Sequence, residues 1–366
     1  MLMYYVYTAL FRPFPPCPHG LIEFIEVPHS VAPPQHPRMK RLVQQWYSPR
    51  ASVWLLPLSW LFSLLVMLRR LAYKAGMLRS YRVAAAVIVV GNISVGGTGK
   101  TPLVTALVKT LQQAGYRPGI ITRGYGGQAQ QWPQQVHSDS DPVLVGDEPV
   151  LLAQRCDCPI VAAPDRVLAA RELLEHSNCN ILISDDGLQH YRLQRDIEIV
   201  VVDGVRRFGN GHCLPAGPLR EPVSRLKQVD FVVANGLAAE GEVVMQLLPG
   251  MLRSLLDGAK TASLSDLHGE QVHAVAGIGN PSRFFDLLKQ QGLIVIEHPF
   301  PDHYGFVATD LAFGDELPVL MTEKDAVKCR QFADDGMWYL PVEAQLDDSF
   351  FHAFLQQVIS LTGKGL

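Results

Sequence analysis

The stretch from Val87 to Pro102, VIVVGNISVGGTGKTP, constrains the fold of this chain more than any other. An apolar, β-branched run reads as a buried strand, and it breaks into a glycine-rich turn ending in Gly99, Lys100 and Thr101. Gripping a polyphosphate needs those parts in that order. The strand fixes the loop, and glycines let backbone N–H groups approach the phosphate oxygens. A lysine reaches the β- and γ-phosphates, and a threonine hydroxyl at the helix start holds Mg2+. Pro102 suits the first helical turn, where its missing N–H would have had no partner. The residues that would line the phosphates are Ser94, Val95, Gly96, Gly97, Thr98, Gly99, Lys100 and Thr101, with Ser94 standing where the usual pattern has its first glycine. The segment predicts a nucleoside triphosphate site; the alternative is a glycine-rich turn without a ligand.

With 366 residues the chain is long enough for two domains, and 48% hydrophobic against 18% charged residues excludes a disordered chain. The net charge of -3 hides an asymmetry. Residues 1–83 carry ten Lys/Arg against Glu23 and Glu26, a net +8, so the remainder is at -11. The basic residues flank an apolar run, which favours an anionic membrane surface over nucleic acid. Six scattered cysteines, with Cys156 and Cys158 only one residue apart, lack the spacing of a zinc knuckle and read as reduced thiols.

Residues 1–38 hold eight prolines and no persistent period, so a packed core is not expected there. Two explanations stand: a start assigned too early, with the functional chain beginning at Met39, or a genuine extension. Residues 39–82 form a basic segment around ASVWLLPLSWLFSLLVML, from Ala51 to Leu68. Eighteen residues is at the lower edge for a spanning helix, and Trp54, Trp60 and Tyr73 suit an interfacial anchor. Basic residues on both sides give no orientation, which fits a helix lying in the membrane face better than one crossing it. A buried helix of an ordinary domain is the competing reading.

Beyond the phosphate loop, strand-like and helix-like stretches alternate. Gly119–Thr122, Pro159–Ala162, Ile181–Ser184, Ile197–Val202 and Phe231–Val233 are short apolar runs of the fully buried kind. The expected fold is α/β, with a mostly parallel P-loop sheet over 83–236 and a second, smaller α/β domain over 237–366. Acids at the end of a buried strand are what a P-loop enzyme uses for Mg2+, and Asp185 and Asp186 sit there. Asp147 and Glu148 begin a helix, where the plain reading is a favourable dipole placement. Phe208–Pro222 is too rich in glycine and proline for a regular element. His303 falls in a loop after a strand.

Taken together, GN-x3-GGTGKTP, RGYGG, GDEP, DDGLQH, RRFGNG…LPAGPLRE, DHY and TEKDAVKC resemble the tetraacyldisaccharide 4'-kinases, the lipid A 4'-kinase family, over residues 39–345. The resemblance implies transfer of the ATP γ-phosphoryl group to the 4'-hydroxyl of a tetraacyldisaccharide 1-phosphate. The setting it implies is the cytoplasmic face of a Gram-negative inner membrane, with membrane lipids contacted by the N-terminal helix. No nucleic acid and no obligatory protein partner are expected. It implies Asp147 and His303 as a dyad that takes the hydroxyl proton, and Lys100, Asp185 and Asp186 in catalysis. Thr101, Glu148 and Asp186 fall on positions tied to Mg2+, and Tyr125, Arg166, Arg220 and Glu221 on positions lining the acceptor site. The dyad is expected to meet when two domains close.

Two rivals remain at this level. A GTPase switch needs an N/T-K-x-D motif, and Thr322 to Asp325, TEKD, is one residue out of register. A membrane-tethered P-loop binding protein would not need Asp147, Asp185 and Asp186 as carboxylates.

Overall fold

The computed structural model describes residues 43–363, so the proline-rich extension and Met39 lie outside the described residues. The chain divides into two compact units, one of residues up to 78 with 208–223, the other of 79–207 with 224 onward.

The first unit is built on α1 (Leu56–Lys74), preceded by a 3-10 turn at Val53–Leu55. Helix continues through Arg69 and Arg70, beyond the apolar run, because long basic side chains cost a helix nothing at its solvent-facing end. It buries only Ser59, Phe62 and Val66. Ser59 Oγ donates to Cys213 O (2.7 Å), and Trp46 Nε1 donates to Pro215 O (2.9 Å), so the glycine- and proline-rich loop is pinned to the helix side. The opposite face presents Trp54, Leu58, Trp60, Leu61, Leu64, Leu68 and Leu71, all exposed. Together Val53–Lys74 are long and apolar enough to cross a membrane, with 11% buried.

The second unit holds two sheets. The larger has nine strands in the order β15-β8-β7-β6-β1-β5-β2-β4-β3. They are β1 (Ala86–Gly91), β2 (Pro118–Thr122), β3 (Gln134–Gln135), β4 (Ile160–Ala162), β5 (Ile181–Asp185), β6 (Ile197–Asp203), β7 (Phe231–Asn235), β8 (Val243–Pro249) and β15 (Val342–Leu346). From β4 to β8 the neighbours are parallel, and β3 and β15 close the two edges antiparallel. Continuous β-branched runs serve strands buried on both faces. Helices α2 (Lys100–Gln113), α3 (Asp147–Arg155) and α4 (Arg166–His176) follow β1, β3 and β4.

The smaller sheet runs β10-β9-β14-β13-β11-β12. Its strands are β9 (Leu252–Ser254), β10 (Thr261–Ala262), β11 (Gln271–Ala276), β12 (Ile294–Pro299), β13 (Val319–Thr322) and β14 (Met337–Leu340), with α5 (Pro281–Gln290) after β11 and α6 (Glu323–Cys329) after β13. The apolar run at Trp338–Val342, which reads as one strand, is split at Pro341. Residues before the proline pair in the small sheet, and those after it pair with β8 in the large one. The last helix, α7 (Asp348–Thr362), then places Phe350, Phe354 and Val358 in the same core as Leu103, Leu107 and Leu111 of α2.

Candidate active site

At the carboxyl end of β1 the chain turns through Asn92 to Gly99 before α2 begins at Lys100. Gly99 sits at φ 95°, the left-handed region that only glycine enters cheaply, and a Cβ there would lie 2.6 Å from Asn235 Nδ2. Asn92 Nδ2 donates to Gly96 O (3.2 Å) and Asn235 Nδ2 to Thr98 O (3.0 Å), so side chains from both flanks hold the loop open around its backbone. Lys100 Nζ lies 3.3 Å from Asp186 Oδ1.

Asp185 ends β5 directly beside β1, paired with Val90, and is buried. Burial and the neighbouring Glu148 push its carboxyl up to about 7, with Lys100 opposing. Its Oδ1 is buried with no hydrogen-bond partner among the described residues. Arg166, at the head of α4, is buried too. It donates to the carbonyls of Ala163 (3.0 Å) and Asp185 (3.1 Å), which braces the turn carrying the acids. Burial and Arg123 lower its pKa to about 10.

Asp147 and Glu148 open α3, and Asp147 Oδ1 accepts from Glu148 N (2.9 Å). The pair lies in the first turn, where its charge suits the helix dipole, but it does not cap the helix: Gly146 is the N-cap residue and no side chain caps it. His303, in the loop after β12, brings Nδ1 to 3.0 Å from both oxygens of Asp147. A carboxylate can only accept, so Nδ1 carries the proton and Nε2 presents a lone pair. His303 adopts φ 59° to reach this position, a left-handed backbone uncommon for a residue with a Cβ. Burial favours neutral His303, but the hydrogen bond and charge of Asp147 outweigh it and raise its pKa above the usual value. Burial likewise opposes ionised Asp147, yet Lys324, then His303 and Lys328, hold it well below the usual carboxylate range. Tyr125 lies against the His303 ring.

Lys324 escaped the sequence reading. It stands in the first turn of α6, and its Nζ reaches Glu148 Oε1 (3.0 Å), Asp302 Oδ1 (3.1 Å) and His303 Nε2 (3.4 Å). The TEKDAVKC motif was the only signal; its Lys328 also approaches Asp147 (3.8 Å to Oδ2), while Thr322, Glu323 and Asp325 serve the local structure. Thr322 caps α6 and donates to Asp325 Oδ2 (2.6 Å), which in turn accepts from Gly277 N (2.8 Å). Arg155 Nε donates to Glu323 Oε1 (2.8 Å), tying the far end of α3 to the start of α6.

The dyad and the phosphate loop adjoin. A Cβ on Gly279, in the loop before α5, would lie 2.8 Å from Gly97 N and 3.5 Å from Asp302 Oδ2. One unit therefore gathers Ser94–Thr101, Lys100, Asp147, Glu148, Asp185, Asp186, His303 and Tyr125. Arg220 and Glu221 belong to the first unit, where Glu221 is buried.

Residues 51–360 match the family model described as tetraacyldisaccharide-1-P 4'-kinase. The chain is 58% identical over 310 residues to the tetraacyldisaccharide 4'-kinase of Nitrosococcus oceani, covering 84% of this chain and 91% of that one. It is 52% identical over 326 residues to the same enzyme of Methylobacillus flagellatus, covering 88% and 97%, and 49% identical over 334 residues to that of Aeromonas salmonicida, covering 89% and 100%. Among solved structures, that of LpxK from Aquifex aeolicus in complex with ATP superimposes with a TM-score of 0.69 at 27% identity, covering 83% of this chain and 98% of that one.

Proposed function

We infer the roles of these residues from one premise: the chain belongs to the tetraacyldisaccharide-1-P 4'-kinase family. It is an ATP-dependent kinase of lipid A biosynthesis that phosphorylates the 4'-hydroxyl of a tetraacyldisaccharide 1-phosphate. The switch and binding-protein readings are not favoured.

In the mechanism we propose, the backbone of Ser94–Thr101 cradles the ATP phosphates and Lys100 exchanges Asp186 for phosphate oxygens. Asp147 fixes the His303 tautomer and favours the charged ring. His303 Nε2 takes the proton of the acceptor hydroxyl as its oxygen bonds to the γ-phosphorus. The bond from that phosphorus to the bridging oxygen breaks, and ADP leaves. Such a transfer is mostly positioning and charge neutralisation, with the base contributing about 10²–10⁴-fold. The observation that carries this reading is the pair of 3.0 Å contacts between His303 Nδ1 and Asp147, beside the phosphate loop.

The residues fit a Mg2+ ion. The orphaned, buried Asp185 Oδ1 and the surrounding oxygen set are of the hard kind that Mg2+ takes. Among the described residues no three His, Cys, Asp or Glu form a cage by themselves, so phosphate oxygens would be needed to complete the ion's shell. Thr101, Glu148 and Asp186, with Asp185, would hold it, and it would neutralise charge on the β- and γ-phosphates. Tyr125, Arg166, Arg220 and Glu221 serve the acceptor side in this proposal, Arg166 through the turn that it braces. The smaller sheet forms a lobe that delivers His303.

The exposed apolar face of α1, flanked by Arg50, Arg69, Arg70 and Lys74, supports a place on the cytoplasmic face of the inner membrane. Purified protein incubated with ATP, Mg2+ and tetraacyldisaccharide 1-phosphate should yield the 4'-phosphate, and His303→Ala should nearly abolish it. Full turnover by His303→Ala would remove the dyad from the mechanism.

A further inference from the structure

The atom that must accept the hydroxyl proton already has a neighbour. His303 Nε2 carries the lone pair, and Lys324 Nζ stands 3.4 Å from it. The ammonium has three protons, and it faces three acceptors: Glu148 Oε1 at 3.0 Å, Asp302 Oδ1 at 3.1 Å and this ring nitrogen. The two carboxylate contacts are short and charge-assisted, whereas the contact to Nε2 is long and correspondingly weak. Losing it leaves Lys324 anchored by Glu148 and Asp302, so Nε2 can be uncovered without freeing the lysine.

We propose that Lys324 is a positioning residue that covers the base until the acceptor arrives, so that ATP is not spent on water. The proposal rests on the assignment of His303 as the base. A hydroxyl that reaches Nε2 must displace the ammonium from it. The disaccharide can draw on the binding energy of its remote parts to do so, whereas a water molecule brings none. With water activated at Nε2, its proton would pass to the ring, its oxygen would bond to the γ-phosphorus, and ADP and inorganic phosphate would leave. Lys324 disfavours that course by holding the lone pair. Its place in the first turn of α6, tied through Glu323 to Arg155 of α3, keeps the ammonium aimed between the two elements that carry the dyad.

The test compares two reactions of the full-length, detergent-solubilised protein. One is phosphate release from ATP and Mg2+ without acceptor; the other is transfer to tetraacyldisaccharide 1-phosphate. Lys324→Met keeps most of the side-chain volume and removes the protons. It is expected to raise acceptor-free hydrolysis several-fold, up to about tenfold, corresponding to the loss of one weak hydrogen bond to the base. The ratio of transfer to hydrolysis should fall accordingly. Lys324→Gln, which keeps an N–H donor, should fall between the wild type and Lys324→Met. Adding His303→Ala to Lys324→Met should abolish the gain. Hydrolysis that is unchanged, or that falls in step with transfer in both folded variants, overturns the proposal. Full transfer by His303→Ala alone would instead bring down the assignment of the base, so the two failures are distinguishable.

Discussion

Tyr125 and His303 meet ring to ring, with centroids 4.8 Å apart and planes tilted by 52°. The contact limits how the imidazole can swing about its bond to Asp147, which sets only one of its two ends. Tyr125→Ala should therefore cost turnover more than ATP affinity. We expect kcat to fall about tenfold with KM for ATP within a factor of two, since base alignment enters only the chemical step. A rise in KM for ATP without a fall in kcat would assign Tyr125 elsewhere.

Acidity should report on the same ring. The pKa of His303 is raised above 6.5, with Asp147 overriding the effect of burial. A base must be unprotonated, so activity is lost as pH falls through that raised value, and the acid limb of kcat should lie above pH 6.5. Asp147→Asn removes the raising partner. It should shift the limb to lower pH while reducing the plateau by about 10²-fold or more. An acid limb of the wild type well below pH 6.5 would contradict the arrangement.

Stability should depend on pH through a different histidine. Burial holds His190 neutral and lowers its pKa to about 4, against the partial opposition of Asp165. The unfolded chain binds the proton first, so this contribution is intact above pH 6.5 and is lost progressively as pH falls towards 4. The loss is on the order of 2–3 kcal/mol. Denaturant midpoints for His190→Gln should show a flatter decline across that window than the wild type, and an identical decline would discharge His190 from the role.

Close approach between the loop before α5 and the phosphate cradle makes Gly279 sensitive. An added methyl would stand 2.8 Å from Gly97 N, an atom that faces phosphate in the proposed mechanism. Gly279→Ala is expected to raise KM for ATP about tenfold and to leave the melting temperature within a few degrees. Equal ATP affinity would mean that the loop yields.

On α1 and the 3-10 turn before it, replacing Trp54, Trp60 and Leu64 by serine should release the protein from vesicles of anionic lipid, because each removes exposed apolar surface worth about 1.5–3 kcal/mol when buried. Flotation of the variant with the vesicles, unchanged from wild type, would count against the helix as an anchor.

Much of this was legible in the residues, for reasons specific to each. The strand before Gly91, the cradle and α2 follow from local signals, as do most parallel strands, whose unbroken apolar runs are distinctive. The Asp147–His303 contact spans two sheets and 156 residues, and no spacing rule encodes such a pair; only the family resemblance pointed to it. Lys324 was hidden because a lysine in a helix usually faces solvent, and its carboxylate partners, Glu148 and Asp302, come from distant parts of the chain. Likewise β8 was not picked out in the sequence: its burial is uneven and its antiparallel partner β15 comes only after the whole smaller sheet.

That late pairing bears on how the protein can be made. β8 depends on β15, and α2 depends on α7 for part of its apolar cover, yet the whole smaller sheet is threaded between them in sequence. A ribosome therefore emits the phosphate cradle long before the residues that complete its core. The smaller sheet, whose strands lie close together in the chain, has every contact it needs sooner. On this topology the larger sheet begins first and finishes last, so during translation its apolar surface stays uncovered the longer of the two.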